Sequence, residues 1–199
     1  MKVAALTVGG DAATWRRLGF DAGEDGGLML GPVRLELSVA AKRGTIASWT
    51  LEGTDIPASI DGLATRAGQR HEPGPNHPNG AAAIDHIVVL TPSLDRTTAA
   101  FGKVGVERRR VRDAGGGVRQ GFFLVADVLV EVVEGTGLGA EEPARFWGIT
   151  AVVSDIDSAA ELLGDSLGSV KAAVQPGRRI ATVRPEAVGG LPLALITPR

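Results

Sequence analysis

The second half of this chain repeats itself. Asp85-His86-Ile87-Val88-Val89-Leu90-Thr91-Pro92-Ser93-Leu94-Asp95 lies over Trp147-Gly148-Ile149-Thr150-Ala151-Val152-Val153-Ser154-Asp155-Ile156-Asp157 at a displacement of 62 positions, each a β-rich run meeting a polar turn. A helix-like stretch follows both turns, RTTAAFGKVG in the first copy and SAAELLGDSLG in the second. Its apolar residues fall at mixed spacings of three and four. Ser93 or Asp95 and Asp155 or Asp157 are suitable N-caps, with Gly105 and Gly168 as stops. Three strand-like runs complete each copy, around Glu107–Val111, Gly121–Val125 and Asp127–Val133, then Val170–Val174, Arg179–Arg184 and Leu191–Ile196. The closing runs VLVEVV and LPLALI align at a displacement of 63. Displacements that agree within one residue at both ends predict a duplicated βαβββ module over 84–198, with copies at 84–135 and 146–198.

Upstream, HEPGPNHPNG at 71–80 interrupts any helix or strand, because proline removes a backbone donor and fixes φ. Residues 71–83 read as a linker. Residues 1–70 read as a worn βαβββ-like module: VAALTVGGDAATWRRLGF gives strand, turn and helix, and GPVRLELSV a closing strand. TIASWTLEGTDI adds one more strand, followed by the loop PASIDGLATRAG where a helix would stand. The expected class is α+β, with repeated βαβββ modules curling into a half-open barrel.

A net charge of −2, without a long run of either sign, offers no attraction for nucleic acid or an anionic membrane. The absence of cysteine excludes disulfides, thiolate ligands and a thiol nucleophile, so any metal must bind through His, Asp or Glu. The apolar stretch before Gly9 is too short for a secretory core, and no run approaches the ~18 apolar residues of a membrane span. A cytoplasmic location is expected. RRRVR at 108–112 alternates charge across both faces of a strand and suits a solvated sheet edge; the glycines at 115–117 read as a hairpin turn rather than a phosphate loop.

A duplicated unit opening with D-H-I-V-V and closing with V-L-V-E-V-V-E resembles the vicinal oxygen chelate superfamily, which includes glyoxalase I, bleomycin-resistance proteins and extradiol dioxygenases. V-R-Q-G-F-F-L-V-A-D-V-L-V-E-V-V-E followed by A-R-F-W-G-I is similar to its glyoxalase-like subgroup, many of whose members have no assigned activity. The resemblance covers 84–198. It implies a concave sheet that cups a small ligand and, in the metal enzymes, a His or Gln on the first strand and a Glu on the last strand of each module. It implies His86 and Glu131 as those residues in the first module, while Gly148 and Ala194, at the matching positions of the second, carry no donor.

With half the expected ligands missing, the leading reading is metal-independent binding, or acid/base processing, of a small and possibly anionic organic molecule, with His86 and Glu131 as the catalytic candidates. The two residues also have a plainer reading, as a pocket-wall pair that satisfies each other. Arg119, Gln120, Phe146 and Trp147 are candidates for ligand binding, arginine for an anion and the aromatics for an apolar wall; core packing is the plainer role of the aromatics. His71 and His77 with Glu72 would chelate only if the linker folded over the sheet, and Arg178 and Arg179 would flank a turn. Two further readings stay open. One is a lyase, isomerase or dioxygenase using Zn, Ni, Mn or Fe with additional ligands from elsewhere. The other is a non-catalytic module that forms a homodimer through its N-terminal half.

Overall fold

The computed structural model describes residues 1–135 and 137–199. An N-terminal sheet contains β1 (Lys2–Gly9), β2 (Gly27–Leu30), β3 (Val33–Ser38), β4 (Ile46–Glu52), β5 (Ser59–Ile60) and β6 (Leu63–Ala67), in the spatial order β2-β3-β1-β4-β6-β5, with the short helix α1 (Ala12–Arg17). The C-terminal sheet is built from β7 (Ala81–Thr91), α2 (Leu94–Lys103), β8 (Arg108–Asp113), β9 (Arg119–Val125) and β10 (Val128–Glu134), then β11 (Arg145–Val153), α3 (Ile156–Leu163), β12 (Lys171–Ala172), β13 (Arg179–Thr182) and β14 (Leu193–Ile196). Its order is β12-β13-β14-β11-β7-β10-β9-β8. The two end strands do not pair, so this sheet stays open; β8, which carries the arginine run, is one of its edges.

The ladder contains the duplication. Strands β7 and β11 run antiparallel at the centre, with Val88 opposite Gly148, Ile87 opposite Ile149 and His86 opposite Thr150. A displacement of 62 exchanges the outer two pairs and leaves the middle one in place. The closing strands follow: β10 runs parallel to β7 with Glu131 beside Val88, and β14 parallel to β11 with Ala194 beside Thr150. Beside the site each central strand also skips one residue in its ladder, Asp85 in β7 and Trp147 in β11, and β7 skips a second, Ala82, near its start. The equivalent bulges at Asp85 and Trp147 send the residues beyond them to the opposite face, since side chains alternate with a period of two. Simple alternation puts Ile84 on the face of His86; the bulge turns it to the other face, where it pairs with Ala151.

The helices begin where short polar side chains satisfy free N–H groups. The Ser93 hydroxyl accepts from the Arg96 N–H at 3.2 Å, and the Asp155 carboxylate accepts from the N–H groups of Asp157 and Ser158. Helix α3 stops at Gly164 rather than Gly168, because the chain there turns through φ 50°, a region open to glycine.

Residues 1–70 follow the same plan with fewer parts. Strand β3 runs parallel to β1 and β6 parallel to β4, while β1 and β4 pair antiparallel. Strand for strand this is βαββ followed by βββ, two reduced units rather than one worn unit with an extra strand. The linker is tied down: His77 and Asn79 are buried. The His77 ring accepts from the Asp21 N–H at 2.9 Å and reaches the Met29 carbonyl at 2.7 Å, and the Asn79 amide donates to the Leu18 carbonyl. Burial holds the His77 imidazole below its usual pKa, so it serves as a neutral peg.

One core joins the two sheets. At its centre Trp49 on β4 is fully buried, edge-on to Phe101 of α2 at 6.0 Å between centroids and to Phe146 of β11 at 5.4 Å. Its indole N–H donates to the Thr65 hydroxyl at 2.7 Å. Replacing Trp49 with alanine removes this junction and is expected to cost ~3–5 kcal/mol. Urea titration followed by far-ultraviolet circular dichroism should show an earlier midpoint with both sheets still lost in a single transition; two separate transitions would contradict a shared core.

Candidate functional site

The face of the C-terminal sheet turned away from α2 and α3 encloses a cavity of about 670 Å³. Val88, Leu90, Val133, Pro192 and Leu193 give it apolar walls; His86, Glu131, Thr150 and Thr182 put polar atoms inside, and Gln120, Arg145 and Trp147 line it as well. That volume suits a small organic molecule. The cavity is open, not packed shut by its own side chains.

His86 sits at the centre of a chain of contacts. The bulge brings the neighbouring side chain of Asp85 alongside it, and the Asp85 carboxylate lies 2.8 Å from His86 Nδ1. On the other side His86 Nε2 lies 3.1 Å from the Thr150 hydroxyl and 3.8 Å from Glu131 Oε2. The last distance is an ion-pair separation rather than a hydrogen bond. The plain expectation of a His86–Glu131 pair therefore gives way to Asp85 as the main partner. Behind Asp85, Arg178 donates to Oδ1 at 2.6 Å and to the Thr197 carbonyl at 2.8 Å. Arg178 closes the expected turn, its N–H donating to the Gln175 carbonyl at 3.2 Å, and its side chain adds a buried ion pair, Arg178 and Asp85 being 5% and 4% exposed at the side chain.

Burial alone would raise the Asp85 pKa, but the hydrogen bonds from His86 and Arg178 and the Arg178 charge outweigh it and lower the pKa to about 2. An ionised carboxylate only accepts hydrogen bonds, so Nδ1 carries a proton, and Nε2 is the nitrogen turned toward Thr150, Glu131 and the cavity. Glu131 is largely buried and, among the described residues, receives no hydrogen bond at its side chain.

No family model matches this sequence, and no curated protein matches it. Solved structures do match. A mutant of 4-hydroxymandelate synthase from Streptomyces coelicolor aligns with a TM-score of 0.70 at 13% identity, covering 98% of this chain and 92% of that one. Methylmalonyl-CoA epimerase from Mycobacterium tuberculosis aligns with a TM-score of 0.49 at 16% identity, over 60% of this chain and 90% of that one. The first match runs through both sheets. The chain has the vicinal oxygen chelate fold.

His86 and Glu131, the two ligand positions that the sequence resemblance implies for the first module, both line the cavity, and of the matching second-module positions Ala194 lines it as well. A Cβ at Gly148 would stand 2.3 Å from the Pro192 carbonyl oxygen, so no side chain fits without moving that backbone. Ala194 offers only a methyl group. Among the described residues no cluster of three or more His, Asp or Glu is arranged to hold an ion. His86 and Glu131 fall short of the three or four converging donors that retain a catalytic metal, so the residues present do not fit one.

Of the residues singled out for ligand binding, Gln120 and Trp147 line the cavity. Trp147 is bulged out and 49% exposed. Phe146, past the bulge, pairs with Val89 on the opposite face and packs on Trp49. Arg119 binds the Glu134 carboxylate at 2.9 Å and Asp95 at 3.2 Å and does not line the cavity. Arg179 pairs with Asp157 in solvent. His71 is exposed, and His77 lies among residues of the N-terminal sheet. Sequence reasoning passed over Asp85 and Thr150, and placed Arg178 beside a turn without its buried partner. Asp85 was legible as a carboxylate next to the histidine; Arg178 lies 93 residues away with no local signal. Among the described residues no helix is long and apolar enough to cross a membrane.

Asp85 stabilises the fold while ionised, because its folded pKa lies below the ordinary 3.8. Its contribution, roughly 2 kcal/mol from the size of the shift, is complete above the unfolded value and disappears as pH falls from about 4 toward about 2. The gap in urea stability between the parent and Asp85→Asn should close across that window; a gap constant with pH would contradict the assignment. Gly148→Ala should lose about 1–3 kcal/mol by overpacking against Pro192, read as an earlier urea midpoint, and an unchanged midpoint would show that Pro192 yields freely.

Proposed function

We propose that this protein binds a small organic molecule in the concave cavity and moves a proton on it, with His86 Nε2 as the base and no resident metal. The observation that supports this most is the chain Arg178–Asp85–His86, which ends at Nε2 in an open, mostly apolar cavity. Asp85 holds the ring in one tautomer and stabilises the imidazolium that forms when Nε2 takes a proton. Glu131, 3.8 Å from the same nitrogen, adds a second negative charge beside that cation. The Thr150 hydroxyl, which donates to Nε2 at rest, is released to hydrogen-bond the substrate once the nitrogen is protonated. Returning the proton completes a transfer within one molecule.

This arrangement limits the substrate. An imidazole base removes a proton from carbon only where an adjacent electron-withdrawing group such as a carbonyl has acidified it, and the neutral donors nearest His86, Thr150 and Thr182, stabilise an enolate less than a cation would. The substrate class is therefore a carbon acid activated by its own structure, such as a 2-oxo acid or a 1,3-dicarbonyl compound.

The test is deuterium exchange at carbon. A panel of 2-oxo acids and 1,3-dicarbonyl compounds is incubated with protein in D2O and followed by proton NMR. At least one member should exchange faster than in buffer, and His86→Ala should slow that exchange ~100-fold or more, the usual contribution of a positioned base. Exchange that persists in His86→Ala, or no catalysed exchange across the panel, would sink the acid/base reading.

A further inference from the structure

The cavity has chemically opposite ends. Arg145 faces Leu90 across the β7–β11 ladder, Leu90 lies beside Val133 of β10, and Val133 faces Gln120 of β9. These four residues form one cross-strand row. Among the described residues, the Arg145 side chain makes no hydrogen bond or ion pair and is exposed to the cavity and to solvent. Gln120 receives its neighbour Arg112 at the amide oxygen, with Nε at 2.8 Å, which leaves the amide NH2 free to donate. This end of the cavity therefore offers only donors, one of them a full positive charge.

His86 lies four residues from Leu90 along β7, a separation of about 13 Å at ~3.3 Å per residue. Glu131 stands between these levels, beside Val88 and two residues from Val133, about 7 Å by the same rise; its carboxylate reaches within 3.8 Å of His86 Nε2 and has no hydrogen-bond donor of its own, while Nε2 already meets the Thr150 hydroxyl. Between the ends lie Val88, Leu90 and Val133, with the Trp147 indole at one side. The Glu131 carboxylate is largely removed from water without a donor, and the exposed Arg145 guanidinium is hydrated but unpaired, so a ligand that meets both satisfies a poorly solvated acceptor and gains a charge-assisted contact at its other end.

We infer that the cavity selects an elongated carboxylate whose far end carries a hydrogen-bond donor, with the carboxylate on Arg145 and Gln120, an apolar middle, and the donor on Glu131 beside His86. This rests on the proposed reaction site and assigns its substrate a polarity and a length. Arg145 acts as a binding and specificity residue, since the reacting atoms lie at the other end.

Calorimetric titration with unbranched ω-hydroxycarboxylates of increasing length tests it, beside two matched series: alkanoates, which lack the hydroxyl, and ω-hydroxy primary amides, which lack the charge. Affinity should pass through a maximum at the length that spans the two rows. At that length the amide should bind about tenfold more weakly, and Arg145→Gln should lose a similar factor while melting at the parent temperature. The alkanoate should also bind more weakly to the parent, a difference that shrinks in Glu131→Ala. Amides that bind as tightly as the acids, an Arg145→Gln variant with unchanged affinity, affinity that only climbs with chain length, or no binding at any length would each overturn the inference. Arg145-dependent binding without catalysed deuterium exchange would leave it standing and remove the acid/base reading; exchange on a substrate indifferent to Arg145→Gln would do the reverse.

Discussion

Strands β7 and β11 each carry one residue too many beside the site, and the consequences reach every part of it. At Asp85 the extra residue brings a carboxylate level with its neighbour His86, whereas in a regular strand the two would point to opposite faces. At Trp147 the equivalent bulge leaves Arg145 on the cavity face and turns Phe146 into the core against Trp49. A ladder without bulges would separate the histidine from its carboxylate and the cavity from its arginine.

The bulge at Asp85 buries a charge, and Arg178 makes that tolerable. Both side chains are almost wholly removed from water, so removing either would leave the other as an uncompensated buried charge. Their contact ties the central strand to the start of β13, three strands away across the sheet, and the Arg178 bond to the Thr197 carbonyl fixes the last residues beside it. The pair thus holds the sheet's curvature and the orientation of His86 together. Disturbing Arg178 would affect both, although Arg178 itself does not line the cavity.

The two modules have diverged in opposite directions from a common frame. The first keeps polar groups at both cavity-facing positions, His86 and Glu131; the second has Gly148 and Ala194 there. Gly148 admits no side chain, because the Pro192 carbonyl occupies the space one would need. Thr150, the counterpart of Val88, has become the hydroxyl that meets His86. The second module thereby supports a residue of the first instead of repeating its chemistry.

The linear order of residues carried the repeat, its displacements of 62 and 63, the cavity-facing places of His86 and Glu131, and the gaps at Gly148 and Ala194. The repeat follows from local patterns, since strand alternation, helix caps and turn residues act over a few positions and leave their mark in sequence; the four site positions came from the family resemblance that the repeat carries. Only the tertiary structure decided that Asp85 rather than Glu131 partners His86, that Arg178 is buried, that His77 pegs the linker, and that Phe146 belongs to the core while Trp147 belongs to the cavity. A bulge shifts one residue without a sequence signature of its own, and a contact such as Arg178 with Asp85 joins positions 93 apart. Which polar groups meet is therefore set by how the sheet curves and closes on its core, a property of all the strands together that no single strand's sequence contains.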